Sequence, residues 1–138
     1  MAATSETVEI KAPVERVWRL LEASIESPGR LWPGASAEIL ERRPGSVQRQ
    51  LTLAGVTVVE RVTAFPARHA LDAVLEGDQP LAGQSKLRIE PPLRPGLACR
   101  LTVSLDWRSR GDQAVPDLTA AVQGAAAQVK AEAEAEAG

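Results

Sequence analysis

At 138 residues, 44% of them hydrophobic and 25% charged, the chain is long enough for one domain with a sizeable core and too short for two ordinary ones. A formal net charge of -2 with no basic block removes the electrostatic footprint of a nucleic-acid or anionic-membrane binder. A single cysteine, Cys99, and a single histidine, His69, exclude an internal disulfide and a Cys/His metal cluster, and no cofactor motif is present.

The start, MAATSETVEI, has neither a cationic stretch nor an apolar run of signal-peptide length, and no segment approaches the roughly 20 apolar residues that span a bilayer. A cytoplasmic protein without membrane insertion is the expectation. TVEIK then alternates, with Val8 and Ile10 on one face, the period of a half-buried strand. Pro13 suits a first helical position, after which Val14, Val17, Trp18, Leu21 and Ile25 recur at helical spacing and predict an amphipathic helix. SPGRLWPG is broken by two prolines and two glycines, leaving room for one short helical turn carrying Leu31 and Trp32.

From there to Arg110 the sequence reads as six strands between turn residues: AEILER, the pair RQLTLAGVTVVERV, HALDAVLE, QSKLRIE and LACRLTVSLDW. The last alternates most regularly, with Leu97, Cys99, Leu101, Val103, Leu105 and Trp107 on one face. In RQLTLAGVTVVERV, a two-residue turn at Ala54-Gly55 sets Arg49 opposite Glu60, Leu51 opposite Val58 and Leu53 opposite Val56. A bulge at Gly55 would instead turn Thr57, Val59 and Arg61 to the Arg49 face. The chain closes with an Ala-rich helix that Pro116 and Asp117 can start. Its inward stripe is Leu118, Val122, Ala125, Ala126 and Val129. Residues 131–138 lack large apolar side chains, and fraying is expected there and over residues 1–5.

This order predicts one α+β domain over residues 1–138, a bent antiparallel sheet of six to seven strands wrapped around the long C-terminal helix, with short helices between strands 1 and 2. VEIKAPVERVWRLLEA resembles the opening strand and helix of the START-like superfamily, also called SRPBCC or Bet v 1-like. PGASAEILER, VTVVERV and LTVSLDWR are similar to its AtaL-like branch. The resemblance implies the helix-grip fold and a deep cavity between sheet and last helix. It spans lipid carriers, polyketide cyclases and chaperone activators, so it leaves function open. Aromatic polyketide cyclases of the superfamily line their pockets with Tyr, Arg, His and Trp; this chain has no Tyr and one Phe, Phe65.

Within that frame the candidate site is Arg49 and Glu60, two opposite charges on an apolar wall. Either alone costs several kcal/mol to bury, so they are expected to pair. As a ligand anchor, Arg49 would hold a carboxylate, phenolate or enolate and Glu60 would orient it or act as base. As a structural pair, they would only fix strand pairing. Leu51, Val58, Leu71, Ser85, Leu87, Val103, Trp107, Val122 and Ala126 would line the same space, with Trp32 at its lip. Ala125 and Ala126 either leave room for a ligand or let the helix pack closely. His69 is the one side chain whose ordinary pKa suits general acid/base work near neutrality, although a strand-start histidine is commonly a rim residue. The expected function is binding of a hydrophobic small molecule, lipid-like or polyketide-like. A cyclase/dehydratase-type enzyme and a chaperone-activator-type interaction module are the alternatives.

Overall fold

In the computed structural model, which describes residues 2–91 and 99–136, all seven strands form one antiparallel sheet in the order β1-β7-β6-β5-β4-β3-β2. The strands are β1 (Ala2–Ile10), β2 (Ser36–Arg43), β3 (Ser46–Leu53), β4 (Val56–Phe65), β5 (Ala70–Leu75), β6 (Leu81–Glu90) and β7 (Cys99–Ser109). Helix α1 (Val14–Ala23) and a 3₁₀ turn at Pro28–Arg30 separate β1 from β2, and helix α2 (Thr119–Glu136) follows β7. This is the helix-grip arrangement. The predicted inward position of Leu97 lies outside the described residues.

The strongest alternation gives the best-ordered sheet face. Along β7 every odd residue from Cys99 to Trp107 is buried and every even residue from Arg100 to Asp106 is half-buried. The β3–β4 hairpin adopts the two-residue register, with Arg49 opposite Glu60 and Leu51 opposite Val58. Ala54 and Gly55 both take positive φ, 53° and 79°, the geometry of a type I′ turn whose twist matches that of the strands. The hydrophobic contrast between the two faces outweighs the cost of holding an alanine in the left-handed region.

Several boundaries differ from the sequence reading. Strand β6 begins at Leu81, three residues earlier than the alternation suggests, because Gly83 looks like a turn residue but is paired inside the sheet with Trp107. Pro66–Arg68 forms a second 3₁₀ turn, and His69, at φ 50°, precedes β5 instead of starting it. Pro13 stands just before α1 in extended geometry. Asp117 accepts a hydrogen bond from the Thr119 amide at 3.0 Å, so α2 starts two residues after it.

Regular structure also covers most of both segments expected to fray. β1 pairs with β7 from Ala2 onward. α2 runs to Glu136 with Ala133 fully buried. Glu134 accepts the Lys11 amide at 2.9 Å and Lys130 Nζ at 2.7 Å, while Lys130 also donates to the Glu9 carbonyl. These bonds lace α2 to the junction of β1 and α1. One core fills the space between the sheet and the two helices, with Ile10, Val17, Leu21, Leu101, Val103, Leu118 and Val122 all at 0–1% exposure. Burial of each such side chain stabilises by about 1.5–3 kcal/mol.

Candidate functional site

Two charges sit in this apolar interior. Arg49 and Glu60 are each 3% exposed, and Arg49 Nε donates to Glu60 Oε1 at 2.8 Å. They meet because the hairpin register sets them opposite one another on the inner face. Leu75 is the next residue in that row, on β5.

Arg49 makes a further connection that crosses from the sheet to the first helix. Its Nη1 donates to the carbonyls of Ser24 and Ile25 at 2.8 and 2.7 Å. These follow the C-terminus of α1, where backbone carbonyls have lost their helical partners and the helix dipole is negative, so a guanidinium is well placed there. Ser24 turns its hydroxyl back to the Leu21 carbonyl. Arg49 therefore serves β4 and α1 at once. Burial pushes the Glu60 carboxyl above the usual carboxylate range, and the charge and hydrogen bond of Arg49 only partly oppose it.

Leu51, Val58, Leu71, Leu87, Val103, Trp107, Val122, Ala126 and Trp32 all belong to the one buried core cluster. Ser85 lies within the same face at 6% exposure, between Ala73 of β5 and Leu105 of β7. Because these side chains keep at most a few per cent of their surface, a ligand reaches them only by parting them. Gly124 brings α2 down on the loop before β2, where a Cβ at that position would stand 3.4 Å from Pro33 Cγ. Gln128 holds the same loop through the Gly29 carbonyl at 2.6 Å. Gly124 thus gives close approach of α2 to this loop, and Ala125 and Ala126 beside it are fully buried.

His69 is not brought to the pair. Glu60 is opposite Leu75 at one end of β5 and His69 precedes the other end, about 20 Å away at strand rise. Its Nε2 lies 3.2 Å from Glu15 Oε1 and its ring is edge-on to Trp18, which makes it a rim contact between β5 and α1. Cys99 is buried, with its thiol pushed up by that burial and directed to the Ala12 carbonyl at 3.5 Å. It is poorly suited to act as a nucleophile. No group of three or more His, Cys, Asp or Glu able to hold a metal occurs among the described residues, and none of the described helices is long and apolar enough to cross a membrane.

The carbonyls of Ser24 and Ile25 carried no sequence signal, since only the fold brings them to Arg49. Gly83 did carry one. A glycine inside an alternating stretch marks a close backbone approach, and a Cβ there would stand 2.0 Å from the Asp106 carbonyl oxygen.

The family described as polyketide cyclase/dehydrase and lipid transport matches residues 1–136. No curated protein matches the chain in sequence. Among solved structures, a START superfamily protein from Mycobacterium smegmatis superposes with a TM-score of 0.67 at 20% identity, covering 99% of each chain. Ara h 8.0201 gives 0.66 at 18% identity, over 96% of this chain and 97% of that one. An aromatase/cyclase from a Streptomyces species gives 0.59 at 23% identity, over 98% and 86% respectively. At these identities the likeness establishes the fold.

Proposed function

Because the chain belongs to the polyketide cyclase/dehydrase and lipid transport family, we propose that it binds a hydrophobic small molecule between the concave face of the sheet and α2, oriented by Arg49 and Glu60. The observation that carries this reading is the buried ion pair itself. A core built only for stability gains little from two desolvated charges compared with well-packed apolar residues, whereas an apolar pocket with a few convergent polar groups is the usual form of a ligand site. The ligand displaces side chains that are buried together in the free protein. The test is native mass spectrometry of protein purified from its own cells, followed by denaturation. A released hydrophobic adduct is expected. A bare mass, together with failure to take up any apolar probe, would sink the reading.

A second reading rests on the placement of the Glu60 carboxyl in the core, 2.8 Å from Arg49 Nε, where burial raises its pKa. A carboxyl tuned upward beside a guanidinium can move a proton on an enolisable carbonyl compound while Arg49 stabilises the oxyanion. In that case Glu60→Gln abolishes turnover and leaves binding within a few-fold. Conversion that survives in this variant would rule out Glu60 as the base.

A further inference from the structure

The outer face of the sheet, turned away from the core, carries a concavity of its own. Along β7 the buried inner row alternates with a half-buried outer row of Arg100, Thr102, Ser104 and Asp106. Across the strands, Asp106 stands between Ala3 of β1 and Gln84 of β6, and Ser104 stands between Ser5 and Lys86. Ala3, Ser5 and Ser104 are small, and the face sinks there into a depression of about 330 Å³ lined by these residues. That volume reaches the lower end of the range for small-molecule sites, about 300–1,000 Å³.

Two opposite charges on its wall have no partner. Asp106 Oδ1 is buried and accepts no hydrogen bond among the described residues. Buried polar atoms are nearly always satisfied, and each exception calls for an explanation. Lys86 is exposed, and its ammonium has no partner among the described residues. The carboxylate opposite it, Asp72, is taken by Arg88 at 2.6 Å. Lys86 and Asp106 are diagonal neighbours on β6 and β7, about 7–8 Å apart along the backbone, yet their charges do not meet. The Ser5 and Ser104 hydroxyls bond to each other at 3.2 Å. We infer that this depression is a site for a small zwitterion of the α-amino-acid type, whose ammonium donates to the Asp106 carboxylate and whose carboxylate accepts from Lys86 Nζ. Rotation about the Asp106 Cβ–Cγ bond is soft, so either oxygen can turn to the ligand, and the flexible Lys86 stem brings its ammonium to the other end. A ligand with one charge leaves the other wall group unmet, so the site selects for both charges close together. It lies on the opposite face of the sheet from Arg49 and Glu60 and stands apart from the reading of the interior.

Leucine, 3-methylbutylamine and 4-methylpentanoate test this, because they share one branched carbon body and carry both charges, the ammonium alone or the carboxylate alone. Each is titrated into the whole protein at neutral pH and followed by amide NMR spectra. Leucine is expected to shift the amides of residues 3–5, 84–86 and 104–106 and to bind about tenfold tighter than either relative. In Asp106→Asn its affinity falls to that of 4-methylpentanoate, and in Lys86→Gln to that of 3-methylbutylamine. Both substitutions lie on the outer face, and the same spectra verify that the variants fold as the parent does. If leucine binds no tighter than its one-charge relatives, if its shifts fall on other residues, or if neither substitution weakens it, the inference is overturned, while uptake of a hydrophobic ligand by the interior is untouched.

Discussion

Arg49 is the residue that ties β4 to the end of α1. Removing it leaves the Glu60 carboxylate buried without its countercharge and strips a donor from the Ser24 and Ile25 carbonyls. Arg49→Ala is therefore expected to cost about 3–5 kcal/mol, read by urea denaturation, and it cannot by itself separate binding from folding. Glu60 gives a cleaner handle through pH. Its folded pKa is raised by burial above the ordinary carboxylate value, so the native state holds that proton more tightly than the unfolded chain. The resulting stability is fully present below the unfolded pKa and is lost as pH rises through the folded one. In a series of urea melts from pH 4.5 toward neutrality, the Glu60 contribution declines in the wild type, and the decline is absent in Glu60→Gln. An identical slope in both proteins would mean that burial does not control this carboxyl.

The β3–β4 hairpin shows the element scale. Ala54 holds φ 53°, a conformation that costs an alanine about 1–2 kcal/mol. Ala54→Asn, giving the Asn-Gly pair that type I′ turns favour, should raise stability by about 1 kcal/mol in denaturant titrations without altering the register. Strand β6 shows the opposite case. A side chain at Gly83 runs into the β7 backbone at Asp106 and Trp107, so Gly83→Ala should prevent the native β6–β7 pairing, seen as loss of the folded amide spectrum. Normal folding of that variant would show that the two strands can move apart cheaply.

At the scale of the molecule, α2 closes the fold from β1 to the loop before β2. The bonds of Glu134 to Lys11 and Lys130 hold its carboxyl below the usual carboxylate range. Their contribution is present above the unfolded pKa and lost as pH falls through the folded one, opposite in sign to Glu60. Deleting residues 131–138 removes this lacing and the buried Ala133, whose methyl alone contributes about 0.8 kcal/mol, and should lower the Tm. An unchanged Tm would mean that this turn of α2 contributes nothing.

Period and turn chemistry determined much of this protein by themselves. The alternation of β7, the helical spacing of Val17, Trp18 and Leu21, and the facing of Arg49 by Glu60 follow from which side chains must leave water together, a property of residues near in sequence. Tertiary structure decided the rest. The meeting of Arg49 with the end of α1, the separation of His69 from Glu60, the pressing of Gly83 against β7 and the anchoring of an Ala-Glu tail through Glu134 all depend on partners far apart in the chain. Those contacts exist only once the sheet has curved and the helices have closed on it, because hydrogen bonds and close packing are set by distance in space, which neither composition nor periodicity encodes.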